Sequence, residues 1–156
     1  MVRVADLLAL VSKFILKSTV ELPEEKLIYY IATLKEIARM GGVSVKEQNF
    51  TNYLESSLGL SRELIQKADQ LVNEKSLSMG ELVAGIKEPE YRVCILRDAY
   101  LMARMDDKVD QSEWLALERL AGALGLSESL ARKVINLVDD IIELHHEFEK
   151  LSKKSS

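Results

Sequence analysis

Asp98-Ala-Tyr-Leu-Met-Ala-Arg-Met-Asp-Asp-Lys-Val-Asp-Gln-Ser-Glu113 decides how this chain is read. Its first half is an apolar run without a breaker, the pattern of a helix inside a core. Its second half concentrates acids and sets Asp110 three residues before Glu113, the spacing of a capping box that opens a new helix. The unit is therefore helix, acidic turn, helix. The same unit occurs upstream. Ala38-Arg-Met-Gly-Gly-Val-Ser44-Val-Lys-Glu47 parallels Ala103-Arg-Met-Asp-Asp-Lys-Val-Asp110-Gln-Ser-Glu113, with one residue more in the second copy. Leu54-Glu-Ser-Ser-Leu-Gly-Leu-Ser61 likewise parallels Leu120-Ala-Gly-Ala-Leu-Gly-Leu-Ser127. The offset is 65 residues from Ala38 to Ala103 and 66 from Leu54 to Leu120. Each copy alone carries too little apolar surface for a core, so the two are expected to pack together.

Working outward, the helix signals are regular. Pro23 before Glu24 and Glu25 suits a first helical turn, with acids at the positive end of the helix dipole. Gly41-Gly42, Gly59 and Gly125 are stops, and Ser61, Ser127 and the box Ser78-Met-Gly-Glu81 are starts. Helices are predicted near 3–18, 23–40, 45–57, 62–75, 79–86, 89–105, 111–124 and 128–151. The expected fold is all-α, a single-domain bundle of about seven to eight helices spanning 1–156. Its two pseudo-symmetric repeats cover about 23–75 and 89–151, and no Gly-, Ser- or Pro-rich linker separates them.

Composition sets the outer limits. The 156 residues are 47% hydrophobic and 29% charged, which is globular rather than disordered. A net charge of -4 disfavours sequence-independent binding to phosphate backbones. One cysteine, Cys94, makes no internal disulfide and suits a reducing, cytoplasmic setting. The N-terminal run places Asp6 where a signal peptide needs apolar residues, while Val4, Leu7, Leu8, Val11 and Ile15 fall at helical spacing. An amphipathic helix, not a leader or a membrane span, is the expectation there. Phosphate loops, Gly-x-Ser-x-Gly and Cys-x-x-Cys do not occur.

Three constellations compete for a function. The turn 106–113 gathers oxygen donors of the kind that hard divalent cations prefer. It is no EF-hand, because the sixth and twelfth places counted from Asp106 hold Gln111 and Leu117. Capping alone also accounts for Asp110 and Glu113. Glu143-Leu-His-His146 is one Glu-x-x-His pair, where a di-iron bundle needs two. Leu120–Ser127 followed by Leu130 and Val134 has the outline of a DNA-binding helix-turn-helix. Glu128 at the reading end and the acidic balance oppose that use. Cys94, among apolar neighbours, reads as a buried structural thiol, and Trp114 and Tyr100 as core or groove lining.

The last helix carries two apolar stripes. Leu130, Val134, Leu137, Ile141, Leu144, Phe148 and Leu151 alternate by four and three, a heptad seam. Ala131, Ile135, Val138 and Ile142 form the other stripe. The seam is expected to face inward, which turns Asp139 and His146 to solvent and leaves His145 at the flank. The second stripe is then covered by the bundle itself or is a subunit or partner face.

The segment 98–113, with Leu117-Glu-Arg-Leu-Ala121 and Leu124-Gly-Leu-Ser127, resembles the tellurite-resistance TerB-like family. That family repeats an apolar helix ending in Ala-x-x-Asp-Gly, a short turn, an acid or Ser cap and Glu three residues on. The resemblance spans about 23–135. It implies an all-helical, cytoplasmic, non-enzymatic protein of tellurite or metal-stress response that binds protein partners, some membrane-associated, without inserting in the membrane itself. It also implies a divalent-cation site at Asp106, Asp110 and Glu113 in the second copy and Glu47 in the first. No other cofactor is implied, and a homo-oligomer is compatible with it. Gly41 stands where the family usually has Asp, and Asp107 where it has Gly, so any site shared by the copies lacks one carboxylate. A metal-dependent carboxylate enzyme and a DNA-binding module are the alternatives from other classes.

Overall fold

The computed structural model describes residues 23–40, 61–74, 76–104 and 109–154. Six helices lie among them: α1 (Glu24–Met40), α2 (Arg62–Asn73), α3 (Met79–Ala84), α4 (Pro89–Ala103), α5 (Gln111–Ala123) and α6 (Glu128–Lys154). The described residues contain no strand. The all-α expectation holds, and six of the expected helices appear within a few residues of their predicted bounds. The helices predicted at 3–18 and 45–57 fall outside the described residues.

Local chemistry explains where these helices begin and end. Ser61 Oγ accepts the Leu64 N–H at 3.3 Å, and Ser127 Oγ accepts that of Leu130 at 3.1 Å. Ser78 and Glu81 form a reciprocal capping box at α3. Pro89 occupies the first turn of α4, where its missing N–H leaves no gap in the helix ladder. α5 ends in a Schellman motif. Leu126 N–H donates to Ala121 O, Gly125 N–H donates to Gly122 O, and Gly125 takes φ 70°. A side chain at that φ crowds the following carbonyl, which is why glycine stands there.

α1 is the central element and packs against α2, α3, α4 and α5. Every residue from Tyr30 to Ala38 is buried as a result, including Thr33, Lys35 and Glu36. The polar members bring partners with them. Thr33 Oγ1 donates to Tyr29 O at 2.8 Å, Lys35 Nζ lies 2.6 Å from Asp69 Oδ1 on α2, and Arg39 Nε donates to Glu36 Oε2 at 2.9 Å. α4 is nearly as enclosed and packs against α1, α5 and α6. The fully buried Ile31, Leu34, Leu82, Ile86, Ile95, Leu96 and Leu120 join these helices in one core.

α6 corrects the expected orientation. Val134, Val138 and Ile142 are its buried residues, with Ala131, Ile135 and Ile141 packed partly against the core. The heptad leucines and Phe148 instead face out: Leu137 is 56% exposed, Leu144 55%, Phe148 69% and Leu151 62%. The physical reason is side-chain size. Ala131 and the β-branched residues let α6 lie close to α4, whereas a row of leucines would hold the axes further apart. The second stripe, joined by Val134, is the core face, and the seam's leucines with Phe148 form the outer one.

Candidate functional site

In the sequence the acidic turn 106–113 follows α4 and runs into the N-terminus of α5. Asp110 caps α5, with Oδ1 accepting the Glu113 N–H at 2.9 Å and the Ser112 hydroxyl at 2.7 Å. Glu113 reaches back, and its Oε1 accepts the Asp110 N–H at 3.3 Å. The predicted box is therefore formed on both sides. Glu113 is 6% exposed, so an acid of the turn is held inside the protein surface. A buried carboxylate at a helix N-terminus is favoured by the unpaired N–H groups and the dipole there. Of the four residues expected to bind a cation, Asp110 and Glu113 are brought together, and Asp106 and Glu47 lie outside the described residues. Among the described residues no three His, Cys, Asp or Glu side chains are gathered closely enough to hold a metal ion.

Two polar clusters on α4 were not singled out from the sequence. Tyr30 Oη donates to Asp98 Oδ2, and Arg97 Nε donates to Asp98 Oδ1 at 2.9 Å. Burial pushes the Tyr30 hydroxyl well above the ordinary tyrosine range, and the Asp98 charge adds to it. Burial opposes the Arg97 charge, yet the Asp98 carboxylate beside it outweighs that effect and raises its pKa. Arg97 Nη2 is buried without a hydrogen-bond partner. The second cluster joins α4 to α6. Tyr100 Oη donates to Asp139 Oδ1 at 2.6 Å, and Arg104 Nη1 donates to the same oxygen at 2.8 Å. Burial raises the Tyr100 pKa, with the Asp139 hydrogen bond second.

The Asp139 bond overturns the expectation that this acid faces solvent. Once the second stripe of α6 turns inward, Asp139 comes to the edge of α4. The histidines move with it. The His145 side chain is 15% exposed, and Glu149 Oε1 lies 3.3 Å from its Nε2, within ion-pair range but outside hydrogen-bond geometry. His146 is half-buried. Sequence signals for the clusters did exist: Tyr30 and Tyr100 each lie on a core face where a hydroxyl needs a partner.

A groove of about 470 Å³ runs between α5 and α6, lined by Leu96, Trp114, Leu117, Ala121, Leu126 and Ile135 among others. The Trp114 ring is tilted against Tyr100 with centroids 5.7 Å apart. Both aromatic residues thus have the predicted roles, Tyr100 in the core and Trp114 on the groove wall. Cys94 is a buried thiol, as expected. No helix among the described residues is long and apolar enough to cross a membrane. Comparison with protein-family models, curated proteins and solved structures finds no match for the chain.

Proposed function

We propose that the chain is a TerB-like helical protein of tellurite or metal-stress response. It works by binding a protein partner rather than by catalysis, and its acidic turn is a weak divalent-cation site. The observation that carries this reading is the Asp110–Glu113 box, which holds a buried glutamate at the turn between α4 and α5. The two-repeat reading is supported by packing as well: α1 lies on α2 and α4 lies on α6, and these are corresponding helices at the sequence offset. In this proposal Asp106 and Glu47 complete the oxygen set supplied by Asp110 and Glu113, in a cytoplasmic protein of one domain. Asp98, Asp110 and Asp139 have structural duties, as a cap or as partners of Arg and Tyr, which suits binding better than proton transfer.

Calorimetric titration with Ca²⁺, Mg²⁺, Mn²⁺ and Zn²⁺ tests the proposal. Wild type is expected to give saturable heat with at least one cation, and Asp106→Ala/Glu113→Ala to lose it. Identical heats from both proteins overturn the cation role, and with it the TerB-like reading of the turn.

A further inference from the structure

The outward face of α6 has a pattern that ordinary surface does not. Leu130, Leu137, Leu144 and Leu151 recur every seven residues, and all four are exposed. Of the intervening heptad positions, Phe148 is exposed as well, whereas Val134 is buried in the core and Ile141 is half-buried at its edge. Leucine at every seventh residue along one helix face is the pattern of two-stranded helix packing. The strip runs about 30 Å along the helix at 1.5 Å per residue. An exposed, ordered row of this kind marks an association surface.

The flanks decide the orientation. One flank of the strip, Val138 and His145, is turned into the molecule's own bundle. The other flank carries Lys133, Asp140 and Glu147 one heptad apart, all exposed. Parallel helices pair opposite flanks with each other, and here one of those is covered. Antiparallel helices pair like flanks, which leaves the exposed flank to meet itself. With Leu137 packed beside Ile141 of a second copy, Lys133 meets Glu147 of the second copy, and the reverse pair forms by symmetry. Asp140 then lies beside the two-fold axis, opposite its own copy. We infer that α6 associates with a second copy of this chain as an antiparallel, two-fold symmetric helix pair through the leucine strip. This surface is separate from the acidic turn and does not depend on the function proposed for it. The strip is narrow for an obligate interface, so the association is a reversible one, with a dissociation constant of about 1–100 µM.

Sedimentation equilibrium on the full chain, over a hundredfold concentration range, tests the inference. Wild type is expected to pass from monomer to dimer. Leu137→Glu/Leu144→Glu should remain monomeric with an unchanged far-UV spectrum, since both leucines are solvent-exposed in the single copy. Lys133→Glu should weaken the dimer about five- to tenfold, because two opposite-charge pairs become two like-charge pairs. Lys133→Glu/Glu147→Lys should restore it, a rescue that only the antiparallel register gives. Asp140→Asn should tighten it. A wild type monomeric throughout overturns the proposal. Protection of a Leu144→Cys thiol in such a monomer would assign the strip to a cover within the chain. Dimerisation that survives Leu137→Glu/Leu144→Glu, or a charge swap without rescue, overturns the surface or the orientation respectively.

Discussion

At Gly85 the missing side chain makes room for a ring. A Cβ there would lie 2.7 Å from Tyr29 Cγ and 2.8 Å from Cδ1, closer than such atoms approach. The backbone at Gly85 is ordinary right-handed, so the need is for space and not for an unusual φ. Gly85→Ala is expected to destabilise by about 1–3 kcal/mol, the cost of overpacking. Gly122 is the opposite case, since an added Cβ meets nothing within 4 Å inside a regular helix. Gly122→Ala is expected to stabilise by about 0.5–1 kcal/mol. Urea denaturation of the two variants checks both signs. Tyr30 and Tyr100 carry a second prediction. Each has its pKa raised by burial, so the folded state keeps a proton that the unfolded state loses above pH 10. Their contribution is therefore fully present below about pH 10 and is lost as pH rises toward the folded values. Tyr30→Phe/Tyr100→Phe should show a shallower fall in stability than wild type between about pH 10 and pH 11. Equal slopes in urea titrations would remove the assignment.

Among the elements, α5 shows best what could be read beforehand. Its start was legible because a cap is local chemistry: Asp110 and Glu113 need only each other and the backbone between them. α6 was legible as a helix but not in its facing. The heptad seam and the second stripe are both apolar, and periodicity alone ranks the larger residues first. The ranking failed because close approach to α4 favours Ala131 and Val138, while the seam's leucines stay outside. The error carried Asp139 and His145 with it, since side-chain direction is common to the whole helix. The candidate site was legible to the same extent as α5, as two acids joined by local bonds. The buried pairs Tyr30–Asp98 and Lys35–Asp69 join different helices, so the sequence flags a tyrosine that needs a partner but not which residue supplies it. The cap also yields a separation of roles. Asp110→Asn keeps a side-chain oxygen for the Glu113 N–H and should cost only a few tenths of a kcal/mol, whereas Asp110→Ala should cost about 1 kcal/mol. Cation binding needs the charge and should be weakened in both. Thermal denaturation beside calorimetric titration resolves the two effects, and equal stability losses in Asn and Ala would contradict the capping role.

For the whole molecule, the decisive fact is that α1 belongs to no single half of the chain. It packs on α2, which follows it in the first half, and equally on α4 and α5 in the second. Ile31 is fully buried in α1, and α1 is held to α4 by the Tyr30–Asp98 bond. A cavity at Ile31 therefore weakens the cohesion of both halves at once. Ile31→Ala is expected to cost about 2–5 kcal/mol. Trp114 is the only tryptophan of the chain and sits on α5, so its fluorescence reports the second half alone. Far-UV circular dichroism reports all helices together. If the bundle unfolds as one unit, both probes in Ile31→Ala should shift to the same lower denaturant midpoint and remain superimposable, as a two-state transition requires. If the halves were independent, Trp114 would keep its wild-type midpoint while the dichroism split into two steps. Coincident curves make the shared core, with α1 at its centre, the unit that positions the acidic turn.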